Sequence, residues 1–176
     1  MFVGEQPGDQ EDLAARPFVG PAGQLLDRAL AEAGLDRAEL YLTNAVKHFK
    51  YEPRGKRRLH KKPNAGEVSA CRWWLDREVE LVRPRLVVAL GATAASALAR
   101  RPVSVTRERG PMAFGAVHGF VTVHPSFLLR LPDEASKAAQ YSRFITDLRR
   151  IRTLTAAEAI EQETPVSQRS RRVEDA

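Results

Sequence analysis

The sequence contains a single cysteine, Cys71, among its 176 residues. One cysteine excludes an internal disulfide framework and fits a reducing compartment, so we expect a cytoplasmic protein. No apolar run approaches the roughly 20 residues of a membrane span, and no basic segment followed by an apolar one marks a signal peptide. The sequence also lacks a P-loop and a glycine-rich dinucleotide fingerprint after a strand. We therefore expect no membrane association and no nucleotide cofactor.

Charge and hydrophobicity indicate a folded domain with an acidic partner. The chain has 28 Lys and Arg against 22 Asp and Glu, a formal net charge of +6, and 43% hydrophobic residues. This hydrophobic content is too high for a disordered chain, and the length suits one domain with a sizeable core. A basic surface can simply be solvated, but its sign favours a nucleic acid.

Strand and helix patterns alternate along the chain. Short apolar runs predict strands at 2–3, 40–46, 85–90 and 115–123. The last of these is either one strand or a hairpin that turns at His118-Gly119. Helical spacing of apolar residues predicts helices at 21–34, 65–82, 92–100 and 135–154. This order predicts a three-layer α/β/α sandwich around a central, mainly parallel four-stranded sheet. We expect the domain to comprise residues 1–155 and a polar, disordered tail to comprise residues 156–176.

A basic segment from Tyr51 to Pro63 interrupts this alternation. Six of its 13 residues are Lys or Arg, and one is a histidine, His60. Such a segment cannot be core, so we expect a surface loop that meets a polyanion. A neutral imidazole is also a nucleophile, so the segment either only holds the polyanion or also reacts with it.

Polar residues follow directly on four of the apolar strands. Glu5 lies in the turn 4–8, and Asn44, Gly91 and His124 each end or follow a later strand. Ligands of parallel sheets bind beyond the carboxyl ends of the strands. We therefore expect these segments to share one rim of the sheet.

Each of these signals has a plainer structural interpretation when it is taken alone. Phe18 is either a core side chain or a platform for a flat base. Asn44 either forms an Asx turn or pairs its donor and acceptor with the edge of a pyrimidine. His124 is either a capped core histidine or a site residue, and Cys71 on the apolar side of its helix fits a buried thiol.

In combination, the motifs resemble the uracil-DNA glycosylase superfamily. The order and spacing of five motifs are similar to those of the iron–sulfur family 4 enzymes: Gly4-Glu5-Gln6-Pro7-Gly8, Pro17-Phe18-Val19-Gly20, Thr43-Asn44-Ala45-Val46-Lys47, Leu90-Gly91-Ala92-Thr93 and His124-Pro125-Ser126. The run Lys56-Arg57-Arg58-Leu59-His60 resembles a narrower group, the UdgX-like proteins. The resemblance covers residues 1 to about 150.

The resemblance implies a pocket for a flipped uracil. Phe18 would stack on the base, Asn44 would hydrogen-bond its Watson–Crick edge, and His124 would stabilise negative charge on the leaving base. Further substrate contacts are expected from Gln6, Asp9 and Ser126.

The UdgX-like motif implies covalent capture. His60 would attack the sugar left after base loss, with Glu5 orienting or activating it, and would give a stable protein–DNA adduct. The cations expected to brace the loop and hold phosphates are Lys56, Arg57, Arg58 and Arg130. The expected partner is uracil-containing DNA, preferably single-stranded, and the expected state is a monomer at the nucleoid that acts in DNA repair.

The resemblance also implies a 4Fe-4S cluster. Cys71 and His48 match two of its ligand positions, and the other two lie upstream of the first motif, where this sequence has no residues. We therefore expect an N-terminally short chain whose cluster is incomplete or absent. Two other functions remain open: a hydrolytic family 4-like glycosylase and a non-catalytic DNA-binding remnant.

Overall fold

The computed structural model describes residues 1–163, with side chains described through residue 156. Its seven strands are β1 (Phe2–Gly4), β2 (Leu42–Asn44), β3 (Tyr51–Arg54), β4 (Arg57–His60), β5 (Val87–Leu90), β6 (Gly110–Phe114) and β7 (Val117–Thr122). Its helices are α1 (Asp9–Ala14), α2 (Pro21–Ala33), α3 (Ala65–Val82), α4 (Ala92–Ala99), α5 (Val105–Glu108), α6 (Pro125–Leu129) and α7 (Glu134–Glu163). None of these helices is long and apolar enough to cross a membrane.

Five strands form the central sheet in the order β2-β1-β5-β7-β6. The first four are parallel, and β6 adds an antiparallel edge. The predicted mainly parallel α/β fold is confirmed, but the sheet has five strands rather than four. The hairpin between β6 and β7 turns at Gly115-Ala116, where Gly115 has a φ of +63°, and not at His118-Gly119.

The core lies on both faces of this sheet, as a three-layer sandwich requires. Phe2, Val88 and Phe120 face α2 and α7 on one side. On the other side, Val3 and Val87 face α3 and α4. Successive side chains along each strand point to opposite faces of the sheet, and this alternation produces the division.

The structure corrects two further predictions. The basic segment is a two-stranded antiparallel hairpin of β3 and β4 rather than a loop, and it pairs Tyr51 with His60. Helix α7 continues to Glu163, past the predicted end at Leu154 and into the segment predicted to be a disordered tail. Residues 164–176 of that segment lie outside the described residues.

Candidate active site

A cavity of about 680 Å³ lies beyond the carboxyl ends of the parallel strands. The strand ends, α1, α6 and the β3–β4 hairpin all contribute to its walls. Nine of the residues proposed from sequence line it: Glu5, Gln6, Asp9, Phe18, Asn44, His60, His124, Ser126 and Arg130. The parallel-sheet rule therefore brings together side chains that are up to 125 residues apart in the sequence, the separation of Glu5 from Arg130.

Phe18 and Asn44 form the buried end of the cavity. Phe18 is 4% exposed and Asn44 is 7% exposed. Both approach the end of β1 so closely that a Cβ on Gly4 would lie 2.4 Å from Asn44 Oδ1 and 2.7 Å from Phe18 Cζ. Only glycine leaves room for this arrangement of a flat ring beside an amide.

The backbone of Phe18 is held in the left-handed region, with a φ of +56°. Two contacts account for this unusual conformation. A Cβ on Gly23 would lie 1.9 Å from the Phe18 carbonyl oxygen, so α2 packs directly against this turn. The Arg37 guanidinium also donates to the same carbonyl at 3.2 Å. Strain of this kind, imposed by its surroundings, is common where a side chain must be aimed at a ligand.

His124 is a neutral hydrogen-bond donor to the cavity. Its Nδ1 accepts the backbone N–H of Ser126 at 3.1 Å and lies 2.8 Å from Ser126 Oγ. Because Nδ1 acts as the acceptor, the single proton of the neutral ring resides on Nε2. Burial lowers the pKa of His124 to about 4, and the positive charges of Arg130 and His60 add to this effect against the opposing charge of Glu5. The ring also stacks on Phe18, with centroids 5.9 Å apart.

Glu5 and His60 face each other across the mouth of the cavity. His60 Nε2 lies 3.4 Å from Glu5 Oε1, and the second carboxylate oxygen accepts a hydrogen bond from Thr93. Burial alone would raise the pKa of Glu5, but the hydrogen bonds from His60 and Thr93 and the nearby histidines outweigh it and lower that pKa. Glu5 is therefore a carboxylate poised beside a half-exposed imidazole.

Gln6 joins both ends of the hairpin to β1. Its Nε2 donates to the carbonyls of Lys50 at 3.1 Å and Lys61 at 3.2 Å, and its Oε1 accepts the Lys50 N–H at 3.2 Å. The amide is 7% exposed. Its polar atoms therefore hold the hairpin that carries His60, and the substrate contact predicted for Gln6 stays a prediction.

Arg58 ties the hairpin to α1 at a second point. Its guanidinium binds Asp9 at 2.5 Å and Asp12 at 2.6 Å. The same group lies 5.3 Å from the ring centroid of Phe49 and 5.2 Å from that of Tyr51. These contacts fit the predicted bracing role of Arg58. They also engage the guanidinium that would otherwise bind a phosphate.

The remaining predicted cations differ in their positions. Lys56 and Arg57 are exposed near the turn of the hairpin and do not line the cavity. Arg130 follows α6 and reaches the cavity wall. Lys62, which was not singled out from the sequence, lies two residues after the end of β4 and lines the cavity.

Cys71 and His48 lie together away from the cavity. Their Sγ and Nδ1 atoms are 3.9 Å apart, and the Lys47 N–H donates to the same sulfur at 3.4 Å. Among the described residues, no three His, Cys, Asp or Glu side chains form a group that could hold a metal. Two donors fall short of the four ligands of an iron–sulfur cluster, so Cys71 and His48 do not by themselves fit this cofactor.

Sequence reasoning missed the contact between Thr93 and Glu5. Thr93 was part of a recognised motif, but no role followed from its position. Asp9 was predicted to contact the substrate, and no sequence pattern indicated that its carboxylate also pairs with Arg58. Such side-chain pairings join segments that are far apart in the sequence, and no local pattern encodes them.

Comparison with known proteins supports a common ancestry for this site. The family model for the uracil DNA glycosylase superfamily matches residues 1–149. The chain is 42% identical over 133 residues to a type-4 uracil-DNA glycosylase of Thermotoga maritima, covering 74% of this chain and 66% of that protein. It is 39% identical over 141 residues to the type-4 enzyme of Pyrobaculum aerophilum, covering 75% of this chain and 68% of that protein.

A further relative is the type-4 uracil-DNA glycosylase of Saccharolobus solfataricus. It is 35% identical over 142 residues, which cover 75% of this chain and 62% of that protein. The matched region thus spans about two thirds of the length of these relatives. With a family match over most of its length and the site geometry described above, the chain belongs to the uracil-DNA glycosylase superfamily.

Proposed function

We propose that the protein excises uracil from DNA and captures the resulting sugar covalently on His60. The observation that carries this proposal is the position of His60. The hairpin holds its imidazole at the mouth of the cavity, 3.4 Å from the Glu5 carboxylate. A nucleophile beside a carboxylate that can accept its proton is the arrangement that covalent catalysis needs.

The buried end of the cavity would recognise the base. A uracil flipped out of the strand would lie against the Phe18 ring, with its imide edge toward the Asn44 amide. Asn44 offers both a donor and an acceptor for this edge. We propose single-stranded DNA as the preferred substrate because no base pair must be broken before the base is extruded.

His124 would stabilise the leaving group. Cleavage of the glycosidic bond leaves the bonding electron pair on uracil as an anion. The neutral His124 ring presents its Nε2–H to the cavity and would donate to the uracil oxygen on which charge develops. A donor already in place at the site of developing charge lowers the barrier without reorganisation.

His60 would complete the reaction in place of water. As the bond between the sugar C1′ and uracil breaks, a ring nitrogen of His60 forms a new bond to C1′ with its lone pair. The other ring nitrogen gives up its proton to Glu5, and that proton finally resides on uracil. The products are free uracil and a neutral N-alkylated imidazole, which is a poor leaving group, so the adduct would persist.

The similarity to the type-4 enzymes favours a second candidate, a hydrolytic glycosylase in which water attacks the sugar. A denaturing gel of wild-type protein incubated with labelled, uracil-containing single-stranded DNA distinguishes the two. Capture predicts a shifted band that survives boiling in detergent, with no more than one uracil released per protein. Repeated turnover without such a band would favour hydrolysis. Salt-dependent DNA binding that is indifferent to uracil, with no base release, would indicate a binding remnant.

The first variant tests how Gln6 holds the hairpin. Gln6→Leu removes three hydrogen bonds from the hairpin ends, so His60 should lose its fixed position over the cavity. We expect single-turnover adduct formation to slow by about tenfold or more, since misplacing a reacting group by about 1 Å costs about 10²-fold. The control is Gln10→Leu, another glutamine of the cavity wall with no hydrogen bond to the hairpin. Equal rates in the two variants would contradict this role.

A matched pair of arginine variants separates bracing from phosphate binding. Arg58→Ala removes the ion pairs to α1, so adduct formation should slow while the salt dependence of DNA binding changes little. Arg57→Ala removes an exposed cation, so DNA binding should weaken and its salt slope should fall by about 1. Binding titrations at several salt concentrations, combined with adduct rates, measure both effects. If Arg58→Ala instead lowers the salt slope of DNA binding and Arg57→Ala slows adduct formation, Arg58 is the phosphate contact.

A further inference from the structure

Thr93 lines the cavity because the first residues of α4 lie at the cavity wall. Gly91 ends the turn after β5 with a φ of +93°, and a Cβ there would lie 3.2 Å from His124 Cβ. This close approach places the second residue of α4 beside the strand ends. Thr93 therefore comes from a different part of the chain than β1, the hairpin or α6.

The Thr93 hydroxyl contacts the carboxylate that faces His60. Thr93 Oγ1 donates to Glu5 Oε2, while Glu5 Oε1 faces His60 Nε2 at 3.4 Å. The last side-chain torsion of a glutamate is intrinsically broad. A second donor on the far oxygen restricts that torsion and leaves the near oxygen available to the imidazole.

We propose that Thr93 is a positioning residue that fixes the Glu5 carboxylate toward His60. This inference rests on the proposed role of Glu5 beside the nucleophile. Thr93 would not contact the DNA sugar or the base. Its hydroxyl would act through Glu5, holding it ionised and oriented so that it can accept the imidazole proton during capture.

The electrostatics of the cavity agree with this role. Burial raises the pKa of Glu5, and the hydrogen bonds from His60 and Thr93 are the largest opposing causes. Loss of the Thr93 hydroxyl should therefore raise that pKa. Charged and titratable groups from other elements also line the cavity and stay unchanged in the variants: Asp9 and Glu11 from α1, His60 and Lys62 from the hairpin and its exit, and His124 and Arg130 around α6.

Two substitutions separate the hydroxyl from the shape of the side chain. Thr93→Val keeps the shape and removes the donor, whereas Thr93→Ser keeps the donor and removes a methyl group. We expect Thr93→Val to slow single-turnover adduct formation by about tenfold or more, the scale of a lost hydrogen bond to a charged group. We expect the rate of adduct formation in Thr93→Ser to stay within about threefold of the wild-type rate, because the hydrogen bond to Glu5 is kept.

An NMR titration of the Glu5 carboxyl carbon provides a readout that packing alone would not change. The resonance is assigned by its loss in Glu5→Gln. We expect its pKa to rise in Thr93→Val and to match wild type in Thr93→Ser. An unchanged pKa in Thr93→Val, or equal defects in both variants, would overturn the inference. If wild type forms no adduct, the proposed capture fails, whereas the titration still decides the role of Thr93.

Discussion

Replacing His60 with alanine is expected to abolish the covalent adduct while uracil release continues. The substitution removes the imidazole that the hairpin places beside Glu5, so the proposed nucleophile is no longer there to attack the sugar. The base pocket is unaffected, because Phe18, Asn44 and His124 belong to other elements. Water can enter the space that the half-exposed imidazole vacates, and Glu5 stays held by Thr93.

The measurement combines a boiled denaturing gel with a count of uracil released per protein molecule. For wild type we expect a shifted band and at most one uracil per protein. For His60→Ala we expect no shifted band and more than one uracil per protein. The control is His118→Ala, which replaces an exposed histidine of β7 that does not line the cavity, and it should behave as wild type. A shifted band of wild-type intensity in His60→Ala would contradict the assignment of the nucleophile.

Replacing His124 with leucine is expected to slow uracil release by about 10²–10³-fold, the effect of removing one preorganised donor from a developing anion. Leucine keeps much of the apolar contact with Phe18 but has no N–H. Adduct formation should fall with uracil release, because the sugar becomes reactive only as the base departs. Single-turnover assays of both products measure this effect.

Ser126→Ala tests which donor orients the His124 ring. The backbone N–H of Ser126 still donates to His124 Nδ1 in that variant, so the Nε2–H donor remains and the loss of rate should be much smaller than that of His124→Leu. A loss of rate as large as that of His124→Leu would show that the Ser126 hydroxyl, rather than its backbone N–H, fixes the orientation of the His124 ring.

The neutral state of His124 has consequences for both rate and stability. Since its pKa is lowered to about 4, uracil release in wild type should not decline as the pH rises through 6.5. An unfolded chain binds a proton at this histidine below about pH 6.5, whereas the folded state binds it only near pH 4. The folded state should therefore lose stability as the pH falls through this window. A decline of the release rate on raising the pH through 6.5 would indicate a protonated catalytic histidine.

The layered fold was predictable because its strands and helices carry strong periodic patterns. Val87–Leu90 is apolar throughout, and the spacing in α2 produces one apolar face. The edge strand β6 was missed because Pro111 weakens a strand pattern and is tolerated there only at an edge. The hairpin was missed because its residues are almost all exposed and show no alternation of apolar and polar side chains.

The site was predictable in its location and less so in its contacts. The strand-end rule brought Glu5, Asn44 and His124 to one rim, as the structure shows. The contacts of Gln6 with the hairpin and of Thr93 with Glu5 depend on how loops fold back on the sheet. Such long-range side-chain pairs have no signature in a single sequence.

The central claim, covalent capture by His60, is tested most directly by mass spectrometry of the adduct. Wild-type protein is incubated with uracil-containing single-stranded DNA, digested with protease and nuclease, and fragmented to locate the modification. We expect the sugar–phosphate remnant of one nucleotide on the His60 side chain, with free uracil in equal amount. Unmodified His60 together with free abasic DNA, or a remnant on another residue, would contradict the claim.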